Sequence, residues 1–142
     1  MTVARFIDAS VFIYAYLKPK KPPTPEISKL KENAQSIVKR ISEGEPVTTS
    51  LIHISEIANM LEARMPLKKS LEILTDLMTI DNLKILQPTV ELYQSAIEEA
   101  KIVNVGVNDA LAYSLVEEKG ITEVYSFDLD FDRMKGIKRL TS

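Results

Sequence analysis

No cysteine occurs in the 142 residues and His53 is the single histidine, so a disulfide framework, a thiolate metal site and multi-histidine zinc chemistry are excluded. Any metal must be held by oxygen. No apolar run approaches the ~20 residues that span a bilayer, and the opening segment VARFI is interrupted by Asp8 too soon for a secretory leader. The expected location is therefore cytoplasmic. Positive charge is not in excess either: 18 Lys and Arg against 20 Asp and Glu leave a net charge of -2. That argues against a protein that holds nucleic acid mainly by bulk positive potential. It does not exclude a nuclease, because cations bound by some of the acids leave the remaining Lys and Arg to count for more. The basic residues gather in YLKPKKPP, at Lys39 and Arg40, and from Arg133 to Arg139; each cluster taken alone reads equally well as solvated surface.

What the chain does have is a core-forming composition, 45% hydrophobic, in a length that fits one domain over residues 1–142. The β-branched and aromatic run Val3 to Ile7 predicts a first strand, followed by a helix over Ser10 to Leu17 with Val11, Phe12, Tyr14 and Ala15 buried. Four prolines in KPKKPPTPE then forbid a regular element and predict an exposed connector. A long amphipathic helix follows from about Glu26 to Ser42, with Ile27, Leu30, Ala34, Ile37, Val38 and Ile41 at helical spacing and Gly44 as its stop. The strand PVTTS leads to a helix from Leu51 to Arg64 capped by Ser50, and Pro66 opens a partner helix running to Met78. LKIL is the third strand, Val90 to Val103 and Asn108 to Gly120 are helices, EVYSF is the fourth strand, and a short turn precedes a last strand, IKRL. The near-continuous alternation of strand and helix predicts an α/β fold: a three-layer α/β/α sandwich around a mainly parallel sheet.

Four acids sit where such a sheet gathers its ligands. Asp8 in FIDAS, Glu56 in SEIANML, Asp109 in NDALAYSL and Asp128 in YSFDLDFDR each follow a predicted strand or fall near the start of a helix. The carboxyl ends of parallel strands share one edge, so the four carboxylates are expected to converge there. Each also has a bland explanation when taken alone: a strand end, a solvated helix position, a favourable charge at a helix N-terminus, a turn cap. Taken together they are more restrictive. Carboxylates within ~4–6 Å repel one another, and relief comes from a raised pKa or a bound cation. Hard divalent cations take oxygen ligands, and Mg²⁺ takes a few carboxylates together with substrate phosphate. The reaction that suits such a site is phosphodiester hydrolysis by metal-assisted attack of water.

The four segments FIDASVFIYAY, SEIANML, NDALAYSLVEEKG and YSFDLDFDRMKGIKRL, in this order and across nearly the whole chain, resemble the signature segments of the PIN domain family. A single-domain member of this size is similar to the VapC-type toxins of toxin–antitoxin pairs. The resemblance implies an α/β/α sandwich and a Mg²⁺- or Mn²⁺-dependent endoribonuclease. It places the family's acids on Asp8, Glu56, Asp109 and Asp128, its small hydroxyl residue on Ser10, and a supporting acid on Asp130. It also implies a homodimer and a small antitoxin protein that blocks the acidic cleft. The chain departs from the family pattern at Ala9, where Thr is usual, and at Phe127, where a polar residue is usual; neither change removes a carboxylate.

Competing readings of the same residues are weaker. Asp128, Asp130 and Asp132 begin a calcium-loop spacing, but Arg133 stands where the sharp turn needs Gly and Arg139 where the bidentate Glu belongs. An aspartyl-phosphate phosphatase needs more chain than the 14 residues after Asp128 provide, and a receiver domain needs an adjacent acidic pair where Asp8 is followed by Ala9 and Ser10. A non-catalytic PIN-like module that binds RNA or protein stays open beside the enzyme. For the enzyme the expected scheme is in-line attack of water with departure of the 3′ oxygen, leaving a 5′-phosphate and a 3′-hydroxyl. Lys20, Lys21 and Arg133 are candidate RNA-phosphate contacts. His53, one helical turn before Glu56, is read first as structural and second as an RNA contact. The helix pair bearing Met60, Met65 and Met78 offers either an apolar surface for self-association or ordinary core packing.

Overall fold

The computed structural model describes residues 4–142. Along the chain lie β1 (Arg5–Ile7), α1 (Ala9–Tyr16), α2 (Pro25–Ser42), β2 (Val47–Ser50), α3 (Leu51–Arg64), α4 (Leu67–Met78), β3 (Leu83–Leu86), α5 (Val90–Val103), α6 (Val107–Lys119), β4 (Glu123–Tyr125), a 3₁₀ turn (Leu129–Arg133) and β5 (Lys138–Leu140). The strands form one five-stranded sheet in the order β3-β2-β1-β4-β5, and every pairing is parallel. The chain builds outward from β1 to β2 and β3, then returns to the other side of β1 with β4 and β5. The direction of growth therefore reverses between β1 and β4, and at such a reversal a crevice opens beyond the strand ends.

Alternating side chains of the central strand serve two cores. Ile7 joins Phe12, Ile37, Ile41, Ile57 and Leu61 on the side covered by α1 to α4, while Phe6 joins Leu111, Val116, Val124 and Phe131 on the side covered by α5 and α6. A strand of three residues, paired on both edges and covered on both faces, thus ends at Asp8 with little freedom to move.

Local signals account for the helix limits. Thr24 Oγ1 accepts from the Ile27 amide at 3.2 Å and Pro25 occupies the first helical position, so the last of the four prolines opens α2 instead of prolonging the connector. Ser50 Oγ accepts from the His53 amide at 3.2 Å to start α3, and Thr89 Oγ1 from the Leu92 amide at 3.0 Å to start α5. Asn104, with φ of 62°, and Gly120, with φ of 69°, adopt left-handed geometry where α5 and α6 end. The connector from Lys18 to Thr24 is exposed, as expected. It is nevertheless anchored: Lys31 Nζ donates to the carbonyls of Tyr14, Ala15 and Leu17 at 3.2, 3.3 and 2.9 Å, and Arg64 donates to that of Lys18 at 2.6 Å.

Two expectations need correction, and a third falls partly outside the description. The fourth strand stops at Tyr125, because Ser126 and Phe127 enter a hydrogen-bonded turn set out below. The segment after it is a 3₁₀ helix, started by Asp128 Oδ1 accepting from the Asp130 amide at 2.9 Å. Val3, expected in the first strand, lies outside the described residues. Among the described residues no helix is long and apolar enough to cross a membrane.

A polar knot supports the sheet on its α2 side. The Tyr125 ring is fully buried; its hydroxyl donates to Glu45 Oε2 at 2.7 Å and accepts from Arg5 at 2.6 Å and, more weakly, from Arg40 at 3.4 Å. Replacing Tyr125 with Phe keeps the ring and strands the partly buried Glu45 oxygen, so urea denaturation should show a loss of about 1–2 kcal/mol.

Candidate metal centre

Asp8 is the residue immediately after β1 and precedes the first turn of α1, with 4% of its surface exposed. Its Oδ2 accepts two hydroxyls, from Ser10 Oγ and Ser126 Oγ, each at 2.8 Å. The same two hydroxyl oxygens accept backbone amides on the far side: Ser10 Oγ from Phe127 and Ser126 Oγ from Asp128, both at 3.0 Å. Each serine spends its one hydrogen on Asp8 and its lone pair on the turn after β4. The end of β1 and the turn that carries Asp128 are thereby stitched together through side chains.

Asp109 stands in the first turn of α6, where the helix dipole favours negative charge. Its carboxylate lies with those of Asp128 and Asp130 in a group whose ligand oxygens are all within 4.8 Å of one another. All three are half-buried. Asp130, expected to support the site from behind, therefore stands inside the acidic group itself. Asp8 and Glu56 are not members of that tight group, but their charges reach it. Asp109 is pushed up to about 9, chiefly by burial, then by its hydrogen bond with Asp128 and the charge of Asp8, with smaller effects of the Asp128 charge and of its hydrogen bond with Asp130. Glu56, in the second turn of α3, is raised by burial first and by the charges of Asp8 and Asp128 after it; a hydrogen bond from Asn108 Nδ2 to its Oε2 at 3.4 Å opposes the rise. The five acids thus share one field at the carboxyl edge of the sheet.

The other expected site residues are placed as follows. Ser10 holds Asp8, as described. Lys20 and Lys21 lie on the exposed connector, and Arg133 on the exposed 3₁₀ turn donates from Nη1 to the Asn104 carbonyl at 2.8 Å. His53 is entirely buried and so offers no surface to RNA. Met60 is 38% and Met78 50% exposed, whereas Met65 packs against the core. Two contributors escaped the sequence reading: Ser126 and Asn108. Ser126 sits two residues before Asp128 as Ser10 sits two after Asp8, a mirror spacing that was the available signal.

The donor set suits a hard divalent cation. All the clustered donors are carboxylate oxygens, half-buried and mutually repelling, and a proton on Asp109 provides the relief that a cation would give. Residues Asp109, Asp128 and Asp130 are those placed to hold it, and the buried Asp8 and half-buried Glu56 adjoin them electrostatically.

Comparison with known proteins is consistent with this geometry. The sequence pattern of the family described as PIN domain matches residues 5–137. Among solved structures, VapC20 of Mycobacterium tuberculosis, described as a Sarcin-Ricin loop cleaving toxin, superposes with a TM-score of 0.71 at 18% identity, over 91% of this chain and 93% of that one. VapBC2 from Rickettsia felis, bound to a DNA fragment from their promoter, gives 0.64 at 13% identity, covering 97% and 98% of the two chains. PAE2754 from Pyrobaculum aerophilum gives 0.64 at 19% identity, covering 98% and 92%. At these identities the likeness is one of fold. No match was found among curated protein sequences.

The raised carboxyl of Asp109 fixes the sign of a pH effect. In the metal-free folded protein this group keeps its proton up to about pH 9, while the unfolded chain releases it near the ordinary aspartate value of 3.8. The folded state then binds more protons across that window, so stability is greatest at its acidic end and declines as pH rises through it. Removing the charge should reverse the loss. After allowance for solvent screening at a half-buried group, Asp109→Asn should raise the melting temperature of the metal-free protein at pH 7.5 by about 2–4 °C and flatten the decline, as read by calorimetric scans from pH 5 to 9.

Proposed function

Because the chain belongs to the PIN domain family, we propose that it is a VapC-type ribonuclease that hydrolyses RNA phosphodiester bonds with the help of Mg²⁺ or Mn²⁺. The observation that carries this reading is the meeting of Asp109, Asp128 and Asp130 within 4.8 Å, at the strand edge where Asp8 ends β1. A divalent cation bound there supplies an activated water and neutralises charge on the attacked phosphate and the departing oxygen.

The chain's own residues set the terms for that chemistry. Asp8, Glu56, Asp109 and Asp128 are the acids on which cleavage depends, with Asp130 added to the group that holds the cation. Without a cation this concentration of negative charge repels an RNA phosphate, so binding and cleavage become metal-dependent together. Ser10 and Ser126 keep Asp8 from rotating, and Asn108 keeps Glu56 turned toward the cleft. Lys20, Lys21 and Arg133 are exposed cations and remain the candidate contacts to RNA phosphates. Their modest number fits a protein whose net charge is -2 and whose grip on RNA comes from a few placed contacts.

The likeness to a Sarcin-Ricin loop cleaving toxin supports a structured RNA as substrate, and the likeness to VapBC2 supports an antitoxin partner; a homodimer and a cytoplasmic location belong to the same proposal. The apolar residues exposed on α3 and α4, Met60, Leu67, Leu71 and Met78, provide surface for such assembly.

Incubation of the purified protein with a structured RNA and Mn²⁺ should give fragments with 5′-phosphate and 3′-hydroxyl ends. EDTA should stop the reaction, and Asp8→Asn should abolish it while circular dichroism shows the fold retained. A 2′,3′-cyclic phosphate product would contradict the hydrolytic scheme. RNA binding unaffected by metal or by Asp8→Asn, with no cleavage, would instead establish the non-catalytic module.

A further inference from the structure

His53 lies beneath the acidic group with 0% of its surface exposed, and its environment determines its tautomer. Ser50 Oγ accepts the His53 amide at 3.2 Å and stands 2.6 Å from Nδ1. The fully buried Ser50 hydroxyl needs an acceptor for its own hydrogen, and Nδ1 is the one within reach, so Nδ1 is the acceptor. The ring proton is left on Nε2. Burial keeps the ring neutral, against a weaker opposing influence of Asp8 and the Asn108 backbone. The edge of the imidazole rests against Phe6 at a centroid distance of 5.2 Å, which fixes the ring plane from the opposite side.

Among the described residues Nε2 is the buried side-chain polar atom that makes no hydrogen bond of good geometry, although the Asn108 backbone acts on the ring as a weak hydrogen-bond partner that favours its protonated form. A buried N–H donor without a well-formed hydrogen bond is costly, so its persistence calls for a reason. The group it faces is Asp8 Oδ1, 3.9 Å away. That is too long for a hydrogen bond, by about 1 Å. Oδ1 is also the oxygen of Asp8 left over once Oδ2 has taken both serine hydroxyls. The backbone of Asn108, one residue before Asp109, lies beside the same ring.

We propose that His53 is a positioning residue of the metal centre: its neutral Nε2–H is the donor that sets Asp8 Oδ1, and through Asn108 the start of α6, in the arrangement a divalent cation requires. A carboxylate oxygen has lone pairs enough for a cation and for one N–H donor. Outer hydrogen-bond donors of this kind typically change metal affinity by about 10–100-fold. The inference rests on the metal centre of the proposed ribonuclease, but it concerns cation binding and not cleavage.

Two amides differing by one methylene test it. The Nε2 of a glutamine side chain reaches the place of the imidazole Nε2, whereas the Nδ2 of asparagine reaches only the place of Nδ1. Titration of the full chain with Mn²⁺, followed by calorimetry and by the electron paramagnetic resonance of free Mn²⁺, should give His53→Gln an affinity within about threefold of the native protein. His53→Asn should lose about tenfold or more. Both variants replace a buried ring with a smaller amide, so a role in packing alone would weaken the two alike, and that result overturns the proposal. Native affinity in His53→Asn overturns it as well. In either case the ribonuclease reading survives, since it is judged by RNA cleavage in the native protein; Mn²⁺ binding that depends on His53 in a protein that cuts no RNA would refute the ribonuclease and keep the positioning role.

Discussion

Like charges that would separate in solution are held together here by a sheet edge. The carboxylates of Asp109, Asp128 and Asp130 come within 4.8 Å because α6 starts, and the turn after β4 passes, over the end of a three-residue central strand. As charged groups they repel, and only the proton on Asp109, shared in hydrogen bonds with Asp128 and Asp130, offsets part of that repulsion. The cohesion comes from elsewhere: two cores that share β1, and two serine hydroxyls that bind Asp8 to the amides of Phe127 and Asp128. The acids are therefore a strained load borne by a well-packed frame, as sites organised for catalysis commonly are.

Each support acts through a different physical term. Apolar burial on both faces of β1 fixes where the strand ends, and hydrogen bonding by Ser10 and Ser126 fixes how the Asp8 carboxylate is turned. The polar knot of Tyr125, Arg5, Arg40 and Glu45 fastens β4 to α2. Lys31, by donating to three carbonyls at the C-terminal end of α1, keeps the proline-rich connector from loosening the helix that follows Asp8. Removal of any one should be felt at the acids, although none of these supporting groups touches Asp109.

Local signals made most of the architecture legible from the amino-acid order. The helices Leu51–Arg64 and Val90–Val103 and the strand Leu83–Leu86 have the limits read from sequence, because Ser50, Thr89 and Asn104 each act within a few residues of the boundary they set. The ending of β4 was harder. EVYSF is continuous β-forming sequence, and what ends it at Tyr125 involves Ser126 bonding to Asp8, 118 residues away. The 3₁₀ turn had a cue in the spacing of Asp128 and Asp130, since an aspartate readily accepts the amide two residues on. In the site, acid positions were visible as motifs, but no local pattern could rank Asp130 with Asp109 and Asp128 ahead of Asp8 and Glu56. That ranking depends on distances across the crevice. The burial of His53 was equally hidden, because the side chains that enclose it include Phe6 from another element.

The proton on Asp109 makes the acidic group an exchanger. A carboxyl that titrates at about 9 is occupied by hydrogen at neutral pH, and a divalent cation entering the group must displace it. Cation uptake and proton release are then a single event. Acid in the surroundings competes directly with the metal, and the heat of loading depends on the buffer that receives the proton. A cation held there would depend on hydrogen-ion activity as well as on its own concentration.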